Sequence, residues 1–174
     1  MGKRTIKVDL SYESIKDVAY QVQKYANTLD LKCERFVDRL INEVGIRVIR
    51  ENIASFKGDS DRDYNTYFEL HRTPNKGVYG KLVAENEDIL FIEFGAGIYY
   101  NNGNAHPQSK EFGYGVGTYP GQKNAINPGY WNYRDESGTL RFSLGTEATM
   151  PVYKAYIEMV SMVETIAREV FANG

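Results

Sequence analysis

The stretch CERFVDRLINEVGIRVIRE, residues 33–51, has the clearest helical pattern in the chain. Its apolar side chains recur at intervals of three, four and seven residues, and charged side chains occupy the opposite face. Arg39 and Glu43 form one of several opposite-charge pairs four residues apart, each worth about 0.2–0.5 kcal/mol to a helix. We therefore expect an amphipathic helix with a solvated charged face. Its apolar stripe consists of Cys33, Phe36, Val37, Leu40, Ile41, Val44 and Val48.

Residues 1–56 are expected to form an arm followed by helices. Residues 5–10 alternate apolar and polar side chains, which predicts a short strand or an extended arm. Ser11 is placed to cap a helix, and apolar residues then recur at helical spacing from Ile15 to Leu29. Asp30 either caps a second helix or restarts the first after a bend.

Residues 66–94 are expected to form an antiparallel meander. The runs 66–72, 78–85 and 89–94 are rich in aliphatic and aromatic residues, and short polar stretches typical of turns separate them. The pattern predicts three consecutive strands.

Residues 132–143 predict a further hairpin, because the sequence Asp-Glu-Ser-Gly at 135–138 favours a turn. A C-terminal helix is expected at 150–172, with Thr149 as its cap and Pro151 in its first turn. The resulting fold class is α+β. Helices from both ends of a single domain, residues 1–174, pack on a small antiparallel sheet.

The overall composition excludes several classes of partner. A net charge of −2 predicts no general affinity for nucleic acid or acidic membranes. The first ten residues lack the apolar stretch of a signal peptide, and no run is long enough to span a bilayer, so we expect a soluble chain. The single cysteine, Cys33, excludes an intramolecular disulfide, and its place on the apolar stripe predicts a buried, inert thiol.

Residues that could support catalysis are few. Of the two histidines, His71 is expected to be a sheet residue and His106 to stabilise a turn or an interface. Glu93 could pair with Asp135 or Glu136 as in glycoside hydrolysis, but the latter two lie in a turn, where acidic residues have local roles. We therefore expect no enzyme activity, no catalytic residue, no cofactor and no metal.

Nucleotide binding is also disfavoured. The glycine-rich fragments GAG at 95–97 and GYGVG at 113–117 do not match the phosphate-binding loop pattern. Neither opens a clear helix after a buried parallel strand, so we expect no specific small-molecule ligand.

Residues 95–131 form the most unusual segment. They hold eight of the 16 glycines and seven aromatic residues, with only three formal charges. Irregular segments of this length within a domain are usually functional or disordered, and disordered segments are generally poor in aromatics. We expect a long loop whose rings pack on its own domain or on a partner. Carbohydrate binding through exposed tyrosines and Trp131 remains an alternative at this point.

Several motifs taken together resemble a known family. FIEFGAGIY at 91–99, His106-Pro107, FGYGVGTYPG at 112–121, Trp131 with its hairpin, and GTEATMPVYKA at 145–155 are similar to tail-completion and neck proteins of tailed phages. The match extends from about Phe91 to Phe171. It is distinctive in combination and weak motif by motif.

The resemblance implies a minor structural protein of the virion at the head–tail junction, made in the host bacterial cytoplasm and encoded by a phage or prophage. Such proteins assemble with themselves into rings, often hexameric, and contact other neck and tail proteins. They act in tail completion or head–tail joining, and no catalytic residue comes with the family. Since tyrosines supply contact area at low entropic cost, we expect four of them to contact a neighbouring subunit. They are Tyr99, Tyr100, Tyr114 and Tyr119.

Overall fold

The computed structural model describes residues 9, 11–54, 65–73, 77–86, 88–96, 106–109, 111–112 and 130–172. The elements, in order, are α1 (Tyr12–Arg39), a π-helical segment (Leu40–Ile46), α2 (Arg47–Ala54), β1 (Asn65–Thr73), β2 (Gly77–Glu85), α3 (Ile89–Phe94), β3 (Trp131–Arg134), β4 (Leu140–Ser143) and α4 (Pro151–Ala172). Helices from both ends of the chain and small antiparallel sheets confirm the α+β class.

Helix α1 begins where the sequence predicts, because the Ser11 side chain accepts a hydrogen bond from the Ser14 N–H at 3.3 Å. The expected boundary at Asp30 is wrong, since α1 continues through it to Arg39. The irregularity lies further on, in the π segment. Without a proline or glycine near Asp30, nothing in the backbone interrupts the helix there.

The π segment is the centre of the packing. It contacts α4 on one side and both strands of the β1–β2 hairpin on another. Ile41, Val44 and Ile46 are buried in it, and Ile49 follows in α2 without any exposed surface. The main core cluster joins this region to the buried face of α4 and consists of Val44, Val48, Ile49, Ala155, Ile166 and Val170.

Strands β1 and β2 pair in antiparallel fashion, with Asn65 opposite Glu85 and Thr73 opposite Gly77. Gly80 lies at the closest approach of this hairpin to the helices. A Cβ atom at Gly80 would lie 2.2 Å from Ile41 Cδ1 and 2.7 Å from Val37 Cγ1, so a larger residue would require these side chains to move. The C-terminal hairpin, Trp131–Arg134 with Leu140–Ser143, is also confirmed and forms a separate two-stranded sheet.

The third predicted strand, 89–94, is wrong because these residues form helix α3. The Ile92 N–H donates to the Asp88 carbonyl at 3.0 Å and the Gly95 N–H donates to the Phe91 carbonyl at 2.8 Å. Gly95 then turns the chain with a φ of 75°. A short, continuous apolar run occurs both in buried strands and in buried helices. It has no alternation with polar residues, so its pattern does not distinguish the two. Ile92, Glu93 and Phe94 are buried consecutively at this helix end.

Helix α4 confirms the predicted C-terminal helix, with Pro151 as its first residue. The predicted cap is wrong. The first helical bond runs from the Lys154 N–H to the Met150 carbonyl, so Met150, with a φ of 55°, occupies the cap position instead of Thr149. The Thr149 N–H instead donates to the Ile92 carbonyl at 2.9 Å. The free N–H groups in the first turn of α4 therefore donate to acceptors elsewhere in the chain.

Candidate functional site

Glu93, on α3, supplies those acceptors. Its side chain is buried and lies at the N-terminus of α4. Oε2 accepts the Val152 N–H at 2.8 Å, and Oε1 accepts the Tyr153 N–H at 2.9 Å. A carboxylate from a distant helix thus caps α4, where free N–H groups and the helix dipole both favour a negative group.

His106 completes the arrangement. Its Nε2 lies 3.0 Å from Glu93 Oε1, and its Nδ1 accepts the Gln108 N–H at 3.1 Å. Because Nδ1 is the acceptor, the neutral ring carries its proton on Nε2 and donates it to Glu93. We call Glu93, His106 and the N-terminus of α4 the Glu93 junction.

Aromatic rings and a turn fix the histidine in place. The imidazole lies between Phe94, at a centroid distance of 4.5 Å, and Tyr153, at 5.0 Å. The Ser109 N–H donates to the His106 carbonyl at 2.9 Å and closes the turn that follows. The predicted turn-stabilising role of His106 is therefore confirmed.

A backbone bridge closes the junction on its other side. Ala96 and Thr146 exchange two hydrogen bonds, of 2.9 and 2.8 Å, just after α3 and just before α4. Residues 96 and 146 are thereby held at one place, on either side of a stretch of chain that includes the β3–β4 hairpin. The junction joins parts of the chain that are distant in sequence.

A cleft of about 430 Å³ adjoins the junction. Its walls are mainly apolar, and Glu93 and His106 are its buried polar members. Both imidazole nitrogens are already hydrogen-bonded, and both carboxylate oxygens accept backbone N–H groups. Proton transfer to a ligand would have to break bonds that hold the fold, so the geometry favours a structural role for this pair.

The other chemical candidates are occupied locally. Hydrogen bonds from Ser137, and then from Arg141, lower the pKa of the Asp135 carboxyl within its own hairpin turn. His71 lies in β1 as predicted and stacks on Tyr79 at a centroid distance of 4.9 Å.

Cys33 is only half-buried, which corrects the expectation of a buried thiol. Within the described residues, no group of three acidic, histidine or cysteine side chains is arranged to hold a metal ion.

Two helix faces are unusually apolar for exposed surfaces. Helix α1 has 28 residues, and none of those side chains is buried among the described parts of the chain. On one face it exposes Ile15, Val22, Tyr25 and Leu29. Helix α4 exposes a second apolar row beside its buried face, formed by Val152, Tyr156, Val160 and Val163. We call these rows the α1 face and the α4 face.

The candidate interface tyrosines lie outside the described residues. These are Tyr99, Tyr100, Tyr114 and Tyr119. Of Trp131 the structure describes only the backbone, in β3. Neither the interface contacts nor carbohydrate stacking at these rings is tested, and both remain predictions.

The Glu93 junction was not anticipated from the sequence, although one signal pointed to it. Glu93 is the only charged residue in the apolar run 89–94, and a buried charge requires partners. Those partners could not be named, because they come from residues 13 and about 60 positions away.

Comparison of the chain with protein-family models, with curated proteins and with solved structures finds no match. The phage-protein resemblance therefore rests on the motifs alone and stays a prediction. Among the described helices, none has the length and apolarity needed to cross a membrane.

Proposed function

We propose that this chain is a structural subunit of a tailed-phage particle, located at the head–tail junction, that completes the tail or joins it to the head by assembling with copies of itself into a ring. The observation that carries the proposal is the α1 face, an apolar row on a long helix that the described chain leaves uncovered. Extended apolar faces of this kind on soluble domains usually mark surfaces for protein association.

The geometry of the Glu93 junction supports the proposal in a second way. Three of the resembling motifs, at 91–99, 106–107 and 145–155, meet there through direct hydrogen bonds. Motifs that are weak individually therefore contribute to one structural unit. The contact of these three motifs with one another supports the resemblance on which the proposal rests.

The proposed site of action is the virion neck, after synthesis in the host bacterial cytoplasm. The proposed partners are other copies of the chain and the neck and tail proteins on either side. No catalytic step is required of it, because joining preformed structures needs only complementary surfaces.

Deletion of the coding sequence from the phage or prophage genome tests the proposal. We expect electron micrographs of the lysate to show filled heads and tails that are not joined, and we expect the intact chain, supplied in trans, to restore joined particles. Mass spectrometry of purified virions should detect the chain as a minor component. Joined, infectious particles formed without the chain would refute the proposal, and binding of the isolated chain to a glycan panel would favour the carbohydrate alternative.

A further inference from the structure

The α1 face continues a surface that is already used inside the subunit. Ile15, Val22, Leu29 and Phe36 are seven residues apart and therefore lie along one side of the helix. Phe36, the last of the four, packs on Phe171 of α4 at a centroid distance of 6.1 Å. The three preceding positions carry the same apolar row away from this contact.

The contact marks the place where α4 ends. Arg39 Nη1 lies 2.8 Å from Glu169 Oε2 in the last turns of α4, which ends at Ala172. The α1 face begins two turns further along α1, from Leu29 back to Ile15. The subunit's own α4 therefore covers the C-terminal part of the apolar row and leaves the rest exposed.

The α4 face is a suitable partner for the uncovered part. The exposed rows have similar lengths, about 21 Å from Ile15 to Leu29 and about 17 Å from Val152 to Val163, at 1.5 Å per residue. None of their eight side chains is charged, and each is between 38% and 55% exposed. Helices α1 and α4 pack on each other near Phe36 and Arg39, and both rows stay exposed outside this contact.

We propose that the α1 face of one subunit packs on the α4 face of the next. The occupant of the α1 face is thus a second copy of this chain. The contact joins two different surfaces, so it is heterologous, and repetition of such a contact closes into a ring when the rotation between subunits permits. The inference deepens the proposed function, on which it rests, by naming the surfaces that meet.

The area that the α1 face and the α4 face would bury against each other agrees with a contact of moderate strength. A fully exposed large apolar side chain presents roughly 150 Å², so eight half-exposed side chains offer about 600 Å² over both faces. Interfaces are about 60% apolar, which corresponds to a total of about 1,000 Å² with the polar rim. This value is the lower bound for a specific interface. An isolated pair of subunits should therefore associate weakly, and a closed ring should be more stable than its pairs.

Site-directed cross-linking tests the pairing on the full chain. Cys33 is first replaced by serine, and single cysteines are then introduced as Val22→Cys on the α1 face and Val160→Cys on the α4 face. Lys24→Cys and Thr165→Cys, at exposed positions on the opposite sides of the same helices, are the matched controls. Each protein is treated alone and in pairwise mixtures with a short bismaleimide, at high concentration, and the products are separated by denaturing electrophoresis.

Heterologous pairing predicts cross-linked dimers in the mixture of Val22→Cys with Val160→Cys, at least tenfold above either protein alone and above the control mixture. A chain carrying both substitutions should give a ladder of multimers. Dimers formed by Val22→Cys alone would overturn the inference in favour of a symmetric contact, and equal yields from the control pair or no cross-link at all would also overturn it.

The outcomes separate this inference from the proposed function. A specific cross-link with normal particles from the deletion strain would refute the phage role and keep the pairing. Unjoined particles from the deletion strain, together with no specific cross-link, would keep the phage role and refute the pairing.

Discussion

Replacement of Glu93 by alanine should destabilise the protein more than any other single change at a polar residue of the junction. The substitution removes the acceptor of three hydrogen bonds, from the Val152 and Tyr153 N–H groups and from the His106 ring. Each donor left buried and unpaired costs about 1–3 kcal/mol. Since the two N–H groups at a helix end can partly regain water, we expect a total loss of about 3–4 kcal/mol.

The glutamine variant separates charge from shape. Glu93→Gln keeps the volume and one acceptor oxygen, but its NH2 group faces a donor where the carboxylate had an acceptor. We expect a loss of about 1–2 kcal/mol, between those of the wild type and the alanine variant. Glu158→Ala, on the exposed side of the same α4, is the matched control and should stay within about 0.5 kcal/mol of the wild type.

Urea unfolding followed by circular dichroism at 222 nm measures all three variants. A lower urea concentration at the unfolding midpoint, with an unchanged dependence of the unfolding free energy on urea concentration, would show that the variant has lost stability. If Glu93→Ala unfolded within about 0.5 kcal/mol of the wild type, the reasoning that Glu93 caps α4 and fixes His106 would be refuted.

Three further outcomes follow from local contacts. Gly80→Ala should lower the free energy of unfolding by about 1–3 kcal/mol, measured by the same urea assay, because the new methyl group must displace the Ile41 and Val37 side chains. Hydrogen bonds from Ser137 lower the pKa of the Asp135 carboxyl, so their contribution is present above the unfolded-state pKa and is lost as the pH falls through the lower folded-state value. Amide NMR shifts in the β3–β4 turn should therefore stay constant down to about pH 4 and change below it. The bond to Glu85 raises the pKa of the Tyr67 phenol, so its contribution is full below about pH 10 and is lost as the pH rises through the higher folded-state pKa. Tyr67→Phe should abolish this alkaline loss of stability in urea titrations, and a variant that kept it would contradict the assignment.

Local sequence patterns predict the elements that local forces determine. The Ser11 cap, the β1–β2 hairpin and the β3–β4 hairpin depend on contacts between residues close in sequence, and α4 has a regular helical period along its whole length. Their side-chain periods and turn residues are sufficient to locate them.

Elements that depend on distant contacts could not be predicted in the same way. The run 89–94 is helical, and its buried end places Glu93 against α4, a partner about 60 residues away that no local pattern indicates. The π segment likewise places Ile46 and Ile49 in the core, although a single helical stripe would leave both outside it. The π segment is buried on two sides, by α4 and by the β1–β2 hairpin. Its apolar surface is therefore wider than the single stripe of an ordinary amphipathic helix.

The candidate site shows the same division. The sequence singles out Glu93 and His106 as isolated polar residues, but it does not indicate that they bond to each other and to the backbone of α4. The exposed rows on α1 and α4 have ordinary amphipathic periods, and periodicity alone does not tell whether an apolar face meets its own chain or another.

The Ala96–Thr146 bridge and the bonds of Glu93 to α4 have a consequence for how this chain can change in length. The Glu93–Val152 bond joins residues that are 59 positions apart in sequence and so closes the intervening chain into a large loop. The entropic cost of closing a loop grows only with the logarithm of the loop length, by about 0.6 kcal/mol for each doubling. Insertions between the anchored points that leave the His106 turn and the β3–β4 hairpin unchanged should therefore add little to the cost of folding. Relatives or engineered forms can carry segments of very different size on the same scaffold, and a peptide tag placed between Phe112 and Tyr130 should leave the helices and hairpins intact.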